Sequence, residues 1–443
     1  MSNSILEIAF PSVEGKDVVA KSDGGDLTSD AGLLLLGEAD GKIGLTHAIA
    51  EAIKDRRQQG KVEHKIEEMV KERVYAISAG YEDANDLDIL GSDPILKTVC
   101  GQLPGSGDDL ASQPTVSRLE NAVSRKDLVR IGMQMAEKVV ADLPPDTTEV
   151  IIDVDASDDP CHGQQELEFF NGYYDEHCYL PLYVHLTGGD GRQRLVCALL
   201  RPGNSNATRG LFGALRRVVK LIREYFPDVR IMLRGDSGFG VAEVIAFCHK
   251  AGIEYTLGLR GNSVLHKLST PVQMDACLKY RWEGNGCKEY GEFAYEAGSW
   301  KKQERVIIKA EITRGELNPR FVVTSLMEKT TEKVYEFYCG RGEQENRIKE
   351  MKLDLGSGRT SCHRFMANQF RLLLHTAACI LIGVLQGCLE GTKWAKAQVG
   401  TIRVRLLKVG ARIVETCRKV WVHLPTAFPE KEIWHHLHSC LTG

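Results

Sequence analysis

Tyr338, Arg341, Glu345 and Lys352 follow one another at steps of three, four and seven, which on a continuous α-helix puts all four side chains within an arc of roughly 60°. The face they make is polar: a carboxylate, a guanidinium one turn before it and an ammonium two turns after. Such a set can hold a metal ion with the carboxylate and grip phosphate oxygens with the two cations. A solvated helix surface laced with i,i+4 ion pairs has the same composition, so the pattern gains meaning only from other groups that converge on it. Strand aspartates are the candidates. Asp153 and Asp155 stand two apart in the apolar run EVIIDVDAS and therefore share one face of a strand. Asp236 ends the run VRIMLRGDS, where Gly238 and Gly240 let the backbone turn sharply. Three converging carboxylates repel one another unless a cation neutralises them. Oxygen-only ligands favour Mg²⁺ or Mn²⁺, and two such ions about 4 Å apart can activate a water or a 3′-hydroxyl and stabilise the leaving oxygen of a phosphodiester.

The elements that would bring these groups together can be read from the periodicity. Residues of about 28 to 140 carry apolar positions at helical spacing in AGLLLLGEAD, LTHAIAEAI and KIEEMVKERVYAISAGY, broken near Gly60, Gly91 and Pro104. From Glu149 the pattern changes to strands: EVIIDVDAS, LPLYVHLT and RLVCALLRPG, the last two joined by a glycine-rich turn at Gly188 to Gly191. A helix through LFGALRRVVKLIREYF, the strand VRIMLRGDS, the helix AEVIAFCHKAG and the strand IEYTLGLR follow. Three antiparallel strands and then alternating helix and strand form a mixed sheet with helices packed on it, an order that matches the ribonuclease-H-like (retroviral-integrase-like) α/β fold. In such a sheet the first and fourth strands are neighbours and a late helix crosses them, so Asp155 or Asp153, Asp236 and Glu345 would converge.

Four regions are expected. Residues 1–145 form a mainly helical, DNA-binding N-terminal region. Residues 146–261 and 319–395 form the catalytic core, interrupted by an all-β insertion over 262–318. Residues 396–443 form a basic helical tail. Within the first region, QPTVSRLENAV opens a helix at Pro114 or Thr115 and carries Ser117 and Arg118 outward, a pattern shared by helix-turn-helix DNA readers and by many ordinary capped helices.

The formal net charge of -4 argues against a protein that coats nucleic acid indiscriminately. Its distribution is uneven: from Arg341 to Val420 fifteen Lys or Arg stand against six Asp or Glu, a surface on which a polyanion could lie. The thirteen cysteines are scattered and include no CxxC pair, which reads as reduced, mostly buried thiols. The sequence carries no recognisable signal peptide or membrane span, and a cytoplasmic protein is expected. Cys161-His162 and His177-Cys178 are adjacent pairs that rarely point the same way, which disfavours zinc. SDGGDLTSDAG lacks the lysine and spacing of a phosphate loop.

The chain resembles an insertion-sequence DDE transposase of the branch marked by a Y-x2-R-x3-E-x6-K (YREK) signature, which Tyr338, Arg341, Glu345 and Lys352 match at every spacing. Within that branch it is most similar to the thirteen-eighty group, through DVDASDDPCHGQQE, FFNGYY, YLPLYVHL, LRGDSGFG and RFVVTSL, and in the N-terminal part through GYEDANDLDILGSDP and QPTVSRLEN. The resemblance implies metal ligands at Asp155, Asp236 and Glu345, with Asp155 favoured over Asp153 because Ser157 follows it as in the family's D-x-T/S pattern. It further implies phosphate contacts from Arg341 and Lys352, positioning by Tyr338, and an aromatic residue of the insertion, Trp300 or Trp282, that holds a flipped base. The implied activity is cleavage at terminal inverted repeats followed by attack of the 3′-hydroxyl on target DNA, carried out by a homodimer on DNA. A metal-dependent nuclease without strand transfer, and a catalytically silent DNA-binding derivative, would share much of this sequence.

Overall fold

The computed structural model describes residues 7–443 and divides into two compact units. One comprises Met1–Thr46, Asp55–Leu119 and Val384–Gly443, the other His47–Lys54 and Glu120–Gly383. All the candidate carboxylates lie in the second unit.

Early in that unit's long stretch lies α1 (Arg125–Ala141), whose start is fixed by a capping box: the Ser124 hydroxyl accepts from the Asp127 N–H and the Asp127 carboxylate accepts from the Ser124 N–H. Three strands follow, β1 (Glu149–Ala156), β2 (Leu182–Thr187) and β3 (Gln193–Leu199). Next come α2 (Leu211–Tyr225), β4 (Arg230–Gly235), α3 (Ala242–Ala251) and β5 (Glu254–Leu259). In α2 the buried residues Leu211, Leu215, Val218, Val219 and Ile222 recur at helical spacing and form the stripe that meets the sheet.

The segment expected to be an all-β insertion begins instead with two helices, α4 (Ser263–Leu268) and α5 (Thr270–Glu283). Asn262 caps the first, and Pro271 sits in the first turn of the second, where a missing N–H costs nothing. Few residues of α5 are buried, so it lacks the apolar stripe that announces a helix. The strands that follow, β6 (Cys287–Tyr295), β7 (Glu304–Thr313) and β8 (Glu316–Thr324), join the main sheet. Its eight strands run in the order β6-β7-β8-β5-β4-β1-β2-β3. β1, β4 and β5 are parallel to one another, and the other neighbours pair antiparallel.

Alternation divides the central strands between two faces. Val150, Ile152 and Val154 of β1, with Ile231 and Leu233 of β4, join the apolar core with residues of α1, α2 and α3. Ile151, Asp153 and Asp155 point the other way. Over that face lie α6 (Thr331–Cys339) and α7 (Gly342–Leu353), and Phe365–Cys388, α8, follows. Ile348 and Met351 of α7 pack with Tyr183, Leu195, Leu200 and Leu372, which fixes the helix over β2 and β3. α8 is the one helix among the described residues long and apolar enough to cross a membrane, but 78% of its most apolar window is buried inside the protein. That is the setting of a core helix.

In the other unit, helices Leu33–Ile43, Ile66–Ala79, Pro94–Val99 and Lys431–Thr442 dominate. Two features depart from the helical expectation. An exposed hairpin, Glu7–Val13 with Lys16–Lys21, begins the described chain. The tail carries strands Ala411–Glu415 and Val420–His423, the first pairing with Leu27–Thr28. In ARIVE and VWVH the alternating β-branched residues outweigh the basic character read as helix. Cys388 and Cys440 are joined as a disulfide with Cα atoms 5.8 Å apart, in contrast to the reduced state expected throughout.

Candidate active site

The parallel register sets Arg234 of β4 opposite Asp153 of β1, and Gly235 opposite Val154. Asp155 and Asp236 lie one step further on, at the C-terminal ends of adjacent parallel strands and on the face away from the helices of the main core. Asp155 is 9% exposed. Burial pushes its carboxyl up to about 6, with the Arg341 guanidinium opposing the rise and the negative charge of Asp236 adding to it. Asp236, half-buried, accepts a hydrogen bond from the Gly238 N–H at 2.9 Å, which holds its side chain inside the turn after β4.

The signature residues do not share one continuous helix. Tyr338 lies in the last turn of α6, the chain breaks at Gly340, and Arg341 is the N-cap of α7, with Glu345 in that helix's first turn and Lys352 in its last. Two short helices replace the single expected face, yet the side chains still gather. One nitrogen of Arg341, Nη2, reaches Asp155 Oδ2 at 3.2 Å and Glu345 Oε1 at 3.1 Å. The guanidinium thus stands between the two carboxylates as a cation would. Burial raises the Tyr338 phenol above the usual range, with the charge of Arg341 opposing the rise and that of Asp236 adding to it. The Tyr338 hydroxyl passes so close to Gly258 of β5 that a β-carbon there would lie 2.6 Å from it and 2.7 Å from the Ser237 nitrogen. Gly258 is therefore the residue that lets α6 and the Asp236 turn meet.

Among the described residues no group of three or more His, Cys, Asp or Glu is gathered as a metal centre. Asp155 and Glu345 meet at the Arg341 guanidinium and Asp236 ends the neighbouring strand; carboxylate oxygens are a donor type that suits a hard divalent ion. The side chain of Glu345 is 61% exposed, so it can turn without disturbing the core.

A family model described as Transposase DDE domain group 1 matches residues 10–442. The chain belongs to this family. No curated protein matches it.

Other expected site residues of the transposase fall in different settings. Asp153 is fully buried, and its carboxylate is taken by Arg234 at 2.7 Å on both oxygens and by the Gln193 amide at 2.9 Å. Lys352 donates to the Asp158 carbonyl at 2.9 Å, the Asp158 carboxylate at 3.1 Å and the Ser157 hydroxyl at 3.2 Å, so it ties the end of α7 to the loop after β1. Trp300 is 9% exposed and packs edge-on against Tyr295 in the core, whereas Trp282 is 87% exposed on α5. Of the two, only Trp282 has a free ring face to stack on a base. Arg118 is exposed on helix Gln113–Ala122, whose other residues include the buried Val116. Burial pushes the Cys161 and Cys178 thiols up to about 12 and about 11.

Three polar residues beneath the site escaped the sequence reading. Gln344, fully buried, donates to the Asp153 carbonyl at 3.1 Å and to His185 Nδ1 at 3.1 Å. Burial, aided by the charge of Arg347, drives the His185 imidazole down to about 3, so it stays neutral and can accept. Arg234 is the third. Its signal was present: a charged residue two before Asp236, on the same face of an otherwise apolar strand.

Proposed function

We propose that this chain is a DNA transposase of the YREK branch, thirteen-eighty group, that cuts at the terminal inverted repeats of its element and joins the exposed 3′-hydroxyl to target DNA. The strand order β3-β2-β1-β4-β5 supports reading the core as ribonuclease-H-like, with β8, β7 and β6 extending that sheet beyond β5. One observation carries the functional reading. Asp155 and Asp236 end neighbouring parallel strands, and Glu345 is linked to Asp155 through a single guanidinium nitrogen.

Asp155, Asp236 and Glu345 are the residues that would hold Mg²⁺ or Mn²⁺, as a two-ion site. Bound there, the ions would supply Lewis-acid activation of the attacking oxygen and charge stabilisation on the leaving one. The chain's own groups do the rest. Arg341, 13% exposed at its side chain, has its donors at the mouth of the site and can pass from carboxylate to phosphate. Tyr338, whose hydroxyl lies against Gly258, packs the end of α6 on the Asp236 turn. Lys352 holds the Ser157–Asp158 segment and thereby the end of β1, a positioning role that precedes any phosphate contact. Trp282 is the aromatic residue available to an unstacked base, and Arg118 a contact to DNA from the N-terminal region. Since two element ends must be brought together, the working form on DNA is a homodimer, and the protein acts in the cytoplasm.

The test uses DNA from either side of the reading frame. Short inverted repeats bracketed by a direct duplication are expected, and purified protein with Mg²⁺ or Mn²⁺ should nick repeat ends to leave a 3′-hydroxyl and then form joined products. Cleavage without joining would instead identify a nuclease, and binding without cleavage a silent derivative.

A further inference from the structure

We infer that Arg234 is the positioning residue that sets the spacing of the three carboxylates, by clamping β1 and the end of β4 to α6, the helix that leads through Gly340 into α7 and Glu345; this rests on the metal-site reading above. Every arm of its guanidinium is used. Nε donates to Asp153 Oδ1 and Nη2 to Asp153 Oδ2, each at 2.7 Å, and Nη1 donates to the Phe337 carbonyl at 2.8 Å. The side chain is 7% exposed and that of Asp153 0%, and the guanidinium lies 4.9 Å from the centre of the Phe337 ring.

Each partner stands next to a ligand in sequence. Asp153 is two residues before Asp155 on β1, Arg234 is two before Asp236 past β4, and Phe337 is in the last turn of α6, from which the chain turns through Gly340 into Arg341 and Glu345. Gln344 makes the second attachment, from the residue before Glu345 back to the Asp153 carbonyl at 3.1 Å. The break between α6 and α7 belongs to the same device. A β-carbon on Gly340 would lie 2.6 Å from Arg234 Nη1, so glycine there gives the guanidinium room to reach the helix-end carbonyl.

Stability alone is a poor reason to keep such a pair, because buried ion pairs are often matched or exceeded by apolar residues of the same volume. Geometry is a better one. A planar fork satisfied on three sides fixes directions that a lysine ammonium cannot, and groups that orient metal ligands typically change metal affinity about 10–100-fold when removed.

The experiment is Mn²⁺ binding followed by electron paramagnetic resonance on the full chain without DNA, with thermal melts alongside. Wild type should bind Mn²⁺, and Asp155→Asn should abolish that binding. Arg234→Lys, and the double variant Asp153→Leu/Arg234→Met, which replaces the pair with apolar volume and is expected to fold, should weaken Mn²⁺ about 10–100-fold. Gly340→Ala, which leaves both charges in place, should weaken it in the same direction. Folded double-variant protein that binds Mn²⁺ within about twofold of wild type would overturn the clamp while leaving the metal site intact. Absence of Asp155-dependent Mn²⁺ binding in wild type would overturn the metal-site reading itself, and the clamp with it.

Discussion

Two aspartates on one strand face, a single step apart, have opposite surroundings. Asp153 accepts from Arg234 and Gln193 and has no exposed surface, whereas Asp155 meets Arg341 and the N–H of Ala156 and opens to the site. Their substitutions should therefore separate. Asp155→Asn is expected to lower metal-dependent cleavage by more than about 100-fold without loss of thermal stability, since the neutral amide removes a desolvated charge. Asp153→Ala leaves Arg234 buried and unpaired, and should cost about 3–5 kcal/mol in denaturant unfolding. A buried carboxyl of the other unit gives a pH prediction. Burial, with the charge of Glu68 adding to it, raises Glu72 to about 8. Between its ordinary value and about 8 the folded chain holds a proton that the unfolded chain has released, so stability falls as pH rises across that window. Glu72→Gln should melt close to wild type near pH 4 and higher than wild type near pH 9, by an amount on the order of a few kcal/mol.

The elements explain which residues could be recognised in advance. Apolar strands interrupted by acids expose themselves by composition, so the places of Asp153, Asp155 and Asp236 followed from EVIIDVDAS and VRIMLRGDS. The α6–α7 break did not, because steps of three, four and seven suit a helix whether or not it is continuous, and the close approach of Arg234 to Gly340 comes from a strand far earlier in the chain. Trp300 belongs to the same class of error. An aromatic residue in a polar, turn-rich segment looks available, and only the packing on Tyr295 buries it. Two element-level outcomes follow. Gly258→Ala should displace Tyr338 from the Asp236 turn, seen as a higher Mn²⁺ requirement for cleavage with DNA binding unchanged. Lys352→Ala should free the Ser157–Asp158 segment, and amide hydrogen exchange at residues 157–159 should quicken while that of β4 stays as in wild type.

At the scale of the molecule, the chain passes between its two compact units more than once, contributing Met1–Thr46, Asp55–Leu119 and Val384–Gly443 to one of them. Local periodicity identifies helices and strands but carries no record of such returns, which is why linear regions read from composition differ from the compact units. The same limit hid the pairing of the tail strand Ala411–Glu415 with Leu27–Thr28 and the Cys388–Cys440 disulfide. The central strands were legible because each is an apolar run bounded by turn residues or by a helix of clear amphipathic period. The proposed site draws Asp155, Asp236 and Glu345 from one unit of a chain of the Transposase DDE domain group 1 family. End-labelled DNA carrying the repeats that flank the reading frame, incubated with wild type, Asp155→Asn, Asp236→Asn and Glu345→Gln in Mg²⁺, Mn²⁺ or EDTA, brings the assignment to a direct measurement. Wild type should cut at the repeat ends only with metal, and each variant should bind the DNA yet cut more than about 100-fold more slowly. Cutting by wild type in EDTA, or wild-type rates in any of the three variants, would contradict it.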